Sequence, residues 1–126
     1  MPVTGFNHYN LRAPRALLEE LRDFYCTVVG LIEGERPAFR TFGYWLYAGG
    51  TDVLHLSECG VDEMRQTFVA TTFDHAAFTC DDADAMEIHL KAHSIEYTIR
   101  FVSQTNIKQI FFRDPGGNGV ELNFTL

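Results

Sequence analysis

The chain repeats itself. Phe6-Asn7-His8 returns as Phe73-Asp74-His75, and Gly49-Gly50 returns as Gly116-Gly117, both at an offset of 67 residues. Beyond the glycines, Val53-Leu54-His55-Leu56-Ser57 is echoed by Gly119-Val120-Glu121-Leu122-Asn123, with His55 and Glu121 66 residues apart. Such self-similarity limits the fold sharply, because each copy has to be one supersecondary unit. It also sets His8, His55, His75 and Glu121 at equivalent places in two modules, which points to one site at a pseudo-symmetry axis.

Each module reads as strand, helix and three strands. In the first, residues 6–12 and 31–35 are expected strands around a helix over 15–29. Pro14 suits the helix start, Leu17, Leu18, Leu21, Phe24, Tyr25 and Val28 recur at helical spacing, and Gly30 suits its end. Strands at 41–48 and 52–58 follow, joined by Gly49-Gly50. After a polar connector, 59–72, the order returns: strand 73–80, a helix capped by Asp81 or Asp82 and running to about His93, then strands 94–101, 107–113 and 119–125. The predicted class is α+β, a single domain over 1–126 made of repeats 6–58 and 73–125.

Strand alternation gives the site its geometry. His8, Asn10 and Arg12 share one face. His55 and Ser57 oppose Leu54 and Leu56, and Glu121 and Asn123 oppose Val120, Leu122 and Phe124. The apolar faces suit helices, so the polar faces would gather the four candidate ligands. By the 67-residue offset Tyr44 matches Phe111 and Trp45 matches Phe112, which places Tyr44 toward the cavity and Trp45 against a helix. A lone strand histidine is usually a packed residue; only the symmetric placement favours ligation. His89 and His93, four apart on the second helix, read as a solvated face.

Composition excludes several classes. The chain is 46% hydrophobic with 11 Phe, enough for a core. A net charge of −7 and a pI of about 5.1 argue against nucleic-acid or anionic-membrane partners. Cys26, Cys59 and Cys80 are scattered and odd in number, so reduced thiols are expected rather than disulfides. No signal segment or span of about 20 apolar residues is present, and a cytoplasmic location is expected.

The chain resembles the vicinal oxygen chelate superfamily: glyoxalase I, methylmalonyl-CoA epimerase, extradiol dioxygenases, and fosfomycin and bleomycin resistance proteins. The resemblance rests on Asn7–Arg12, Phe24-Tyr25 to Gly30-Leu31, Phe73–Phe78 and, most specifically, Phe112-Arg113-Asp114-Pro115-Gly116-Gly117-Asn118-Gly119-Val120-Glu121-Leu122. It implies a glyoxalase-like fold in which two βαβββ modules form a cupped eight-stranded mixed sheet around one divalent ion. Zn, Ni, Fe, Co and Mn all suit three imidazoles and a carboxylate. The implied ligands are His8, His55, His75 and Glu121, with Glu121 also the catalytic carboxylate. Asn10, Arg12, Tyr44 and Phe111 are implied substrate-binding residues, Arg12 matching an arginine that holds a carboxylate in glyoxalase I.

The resemblance also separates members. His55 stands where glyoxalases commonly have Glu, leaving Glu121 as the one ligand carboxylate. Phe111 stands where extradiol and fosfomycin enzymes carry a tyrosine. The implied function is a metal-dependent lyase or isomerase acting on a small oxygen-chelating substrate. The alternatives are a non-catalytic small-molecule binding or resistance protein and a dioxygenase-related oxidoreductase. A homodimer is expected, because many relatives build each cup from modules of two chains.

Overall fold

The computed structural model describes residues 1–126. It divides into two compact units, Met1–Arg65 and Gln66–Leu126, with the division inside the expected connector. The first unit contains β1 (Tyr9–Ala13), α1 (Arg15–Phe24), β2 (Ile32–Gly34), β3 (Gly43–Ala48) and β4 (Thr51–Glu58). The second contains β5 (His75–Cys80), α2 (Ala83–Ala92), β6 (Thr98–Phe101), β7 (Ile107–Arg113) and β8 (Gly119–Thr125). The class is α+β, and each unit is a βαβββ module as the repeat predicts.

The eight strands lie in two four-stranded mixed sheets, ordered β1-β4-β3-β2 and β5-β8-β7-β6. In both, the first strand runs parallel to the last and the remaining pairs are antiparallel. A parallel pair needs a long crossover, and α1 or α2 with the following strands supplies it.

Leu18 and Leu21 on α1 are buried, as are Tyr25 and Val28 just beyond it, so the 3–4 spacing forms a stripe. The expected helix over 15–29 changes character at its end. Residues Tyr25–Val29 form a π-helical turn, with the Gly30 amide donating to the Tyr25 carbonyl five residues back. Gly30 then ends the helix at φ 99°, a backbone region few other residues tolerate. In the second unit Asp82 caps α2, its carboxylate accepting from the Ala85 amide at 3.0 Å. Leu46, Leu54 and Leu56 form the first sheet's buried face and Ile110, Phe112, Val120, Leu122 and Phe124 the second's.

The expected strands at 6–12, 73–80 and 94–101 are shorter than predicted at their N-terminal ends. His8 therefore immediately precedes β1, whereas His75 is the first residue of β5. Neither helix is long and apolar enough to cross a membrane. Cys26, Cys59 and Cys80 are all free.

Candidate functional site

The ladder register explains which side chains meet. In the second unit Ala77 lies opposite Glu121, so His75, two residues earlier on the same face, is its diagonal neighbour. The His75 Nε2 lies 3.0 Å from Glu121 Oε1. In the first unit Asn10 lies opposite His55, which makes His8 the diagonal neighbour of His55. Their rings stack, with centroids 3.6 Å apart and planes 15° apart. The structure thus brings the four predicted ligands together as two pairs, one in each unit. Neither unit gathers three or more His, Cys, Asp or Glu side chains that could hold a metal.

Both strand-leading histidines carry the same orienting contact. His8 Nδ1 meets Asn7 Oδ1 at 2.7 Å, and His75 Nδ1 meets Asp74 Oδ2 at 2.8 Å. A ring nitrogen that donates its proton to a neighbouring oxygen leaves the other nitrogen as the ligating one. Sequence reasoning saw Asn7 and Asp74 as part of the repeat and missed this role, although their identical placement before each histidine was the signal.

His55 has a further partner that the sequence did not indicate. Its Nε2 lies 2.7 Å from Asp52 Oδ2, and Trp45 stacks on its other face with centroids 4.1 Å apart and planes 9° apart. The contact with His55 holds the Asp52 carboxyl below its ordinary pKa. With His8 on one face and Trp45 on the other, His55 is the middle of a three-ring stack. This stack lines a cavity of about 470 Å³ with Phe39, Asp52 and Asn10.

Tyr44 is not in that cavity. Its ring lies under the Arg22 guanidinium of α1, 4.7 Å from ring centroid to Cζ, and edge-on to Phe42. Trp45, expected against a helix, takes the site face instead. The equivalence comes from the ladders: Trp45 is opposite His55 as Phe111 is opposite Glu121, an offset of 66 residues. The Gly-Gly pairs are not equivalent turns. Gly49-Gly50 alone joins β3 to β4 next to a bulge at Leu46/Ala48, whereas Asp114–Asn118 joins β7 to β8. Aligning the glycines therefore slips the register by one, and one residue reverses a strand's faces.

The other predicted substrate contacts are distinct from one another. Asn10 is on the cavity wall, its Oδ1 accepting from Ser57 Oγ at 2.9 Å. Phe111 is edge-on to His75, with centroids 5.6 Å apart. Arg12 already grips a carboxylate: its Nε and Nη2 donate to Glu63 of the connector at 2.8–3.0 Å. Hydrogen bonds from Arg12, then from Arg65, pull the Glu63 carboxyl down to about 2.

Glu121 is the most enclosed of the four candidate ligands, 4% exposed, and its second oxygen is occupied. Gln109 Nε2 and Asn123 Nδ2 both donate to Oε2, at 3.2 and 3.0 Å. Two ligands bound about 2.1 Å from one ion at adjacent positions are about 3 Å apart. The His75 Nε2 to Glu121 Oε1 spacing of 3.0 Å fits such a pair.

Residues 5–122 match the family model of the Glyoxalase/Bleomycin resistance protein/Dioxygenase superfamily. The chain belongs to this superfamily. No curated protein matches the chain. Among solved structures, it is similar to a glyoxalase family protein from Bacillus anthracis, at 22% identity, TM-score 0.75, covering 100% of this chain and 98% of that one. It is similar to lactoylglutathione lyase from Agrobacterium tumefaciens at 20% identity and TM-score 0.68, covering 98% and 96%. The fosfomycin resistance protein FosX from Listeria monocytogenes, in a complex with Mn(II) and sulfate, is 16% identical with TM-score 0.70, covering 99% and 95%. At these identities the likeness shows a shared glyoxalase-like fold.

Proposed function

We propose that this superfamily member is a metal-dependent enzyme of the lyase or isomerase type, acting on a small substrate that presents neighbouring oxygens. The observation that carries the reading is the His75–Glu121 donor pair, set at 3.0 Å with the remaining His75 nitrogen tied to Asp74. His75 Nε2, Glu121 Oε1 and His8 are the proposed ligands; His55, stacked on His8 and held by Asp52 through Nε2, would have to turn out of the stack to join as the fourth. A divalent ion held there would act as a Lewis acid toward a carbonyl or an enolate. Glu121 Oε1 is the atom at which a substrate proton would be held. Asn10 and Phe111 would contact the substrate. Arg12 would bind an anionic group on it once Glu63 yields.

The chain is proposed to work as a homodimer. Catalytic metal sites commonly use about three protein ligands and keep a position open, and each unit supplies two. The fit of three free thiols to a reducing compartment supports a cytoplasmic location.

Metal analysis of untagged protein tests the enzyme reading. One divalent ion per site is expected, with the ion lost in His75→Ala and Glu121→Gln. Unchanged stoichiometry in both variants refutes the site. The Trp45–His55–His8 stack favours a second reading, in which the pocket sequesters an aromatic ligand without chemistry. Tight ligand binding by metal-free protein would select it.

A further inference from the structure

We infer that Gln109 and Asn123 are positioning residues that fix Glu121 as a one-oxygen ligand of the metal proposed above. Gln109 on β7 lies directly opposite Asn123 on β8. Asn123 is two residues from Glu121 and so shares its face. Both amides donate to the same atom, Oε2, while Oε1 alone faces His75 Nε2. The amide orientation is fixed by chemistry, because turning either amide round would set a carbonyl oxygen against a carboxylate.

The kind of donor matters as much as the number. A carboxylate this enclosed has given up its water, so its oxygens need hydrogen-bond donors from the protein. An arginine or lysine in that place would supply them together with a positive charge that opposes a metal ion. Gln109 and Asn123 supply them without charge, so the negative charge of Glu121 stays available at Oε1. To bind through both oxygens, or to swing off the ion, Glu121 must break both amide contacts.

The repeat provides an internal control. At the matching ladder positions the first unit has Gly43 opposite Ser57. Gly43 has no side chain, and Ser57 donates to Asn10 instead. The unit whose last strand carries a histidine lacks the amide pair. The unit whose last strand carries a carboxylate has it.

Infrared difference spectra of zinc-loaded minus zinc-free protein, labelled with ¹³C-glutamate, test this. The gap between the antisymmetric and symmetric carboxylate stretches is wide for one-oxygen ligation and narrow for two-oxygen ligation. Glu121→Gln identifies the band. Wild type is expected to give the wide gap. The Gln109→Met/Asn123→Leu variant is expected to give the narrow gap and to bind zinc about 10–100-fold more weakly. If the double variant does not fold, Gln109→Met alone serves the same comparison, with the change in gap again expected. An identical gap in wild type and variant overturns the positioning role and leaves the metal site standing. Wild type that takes up no zinc overturns both.

Discussion

At the scale of single residues, the two halves differ in one atom type at an otherwise shared contact. His75 leans on a carboxylate, Asp74, and His8 on an amide, Asn7. A carboxylate makes the ring a stronger donor to a metal than an amide does. Asp74→Ala is therefore expected to weaken metal binding about 10–100-fold, and Asn7→Ala by less, measured by competition with a chelator. The pair Arg12–Glu63 makes a second prediction. The Glu63 carboxyl lies at about 2 against an ordinary 4.5. A folded-state value below the unfolded one means that this contact favours the folded chain at neutral pH. That contribution is lost as the pH falls from about 4.5 toward about 2. Carboxyl ¹³C shifts of Glu63 followed against pH check this, and Arg12→Ala is expected to bring its midpoint back toward the ordinary value. The four candidate ligands stood out in the sequence because histidine and glutamate at matching places in a repeat are the residue types that metal chemistry uses. Gln109 and Asp52 were not, since an amide or carboxylate in a strand carries no such mark until its neighbours are known.

At the scale of elements, helices and strands were legible because their burial follows simple periods. Leu18, Leu21, Tyr25 and Val28 showed α1 and its extension in advance, and Val120, Leu122 and Phe124 showed β8. Turn geometry was not legible to the same depth. Two glycines were visible in both hairpins, but whether a turn takes two residues or five depends on the bulge beside it, and this reversed Tyr44 and Trp45. The longer turn is organised by Asp114, which is 2% exposed. Its Oδ1 accepts from the Gly116 and Asn118 amides at 2.8 and 2.9 Å. Asp114→Ala leaves these enclosed donors without an acceptor and is expected to destabilise the protein by about 2–3 kcal/mol, read from a denaturant midpoint. Gly117 in the same turn has φ 87°, and a side chain there would strike the Phe68 backbone. Gly117→Ala is expected to destabilise too.

At the scale of the molecule, the duplication explains why the fold was legible and the assembly less so. Each module repeats a topology that its own sequence encodes, and each sheet has its first strand, β1 or β5, at an edge. Edges invite pairing, and natural proteins cover or protect them. Large apolar side chains are also exposed near them, including Phe6 at 78% and Phe73 at 48%. Sedimentation at micromolar concentration is expected to give a homodimer, and a monomer that binds one ion would remove the need for a second chain.

The three-ring stack has a practical consequence. Trp45 is the chain's one tryptophan, and it lies face to face with His55. Its emission is thus an intrinsic optical signal from the His8–His55 pair. The unit that holds the His75–Glu121 pair has no tryptophan of its own. A fluorescence titration with a divalent ion therefore reads whether the His8–His55 pair joins His75 and Glu121 in one site: a change in emission that saturates at the calorimetric stoichiometry is expected, and unchanged emission on metal uptake would leave that pair out of the site.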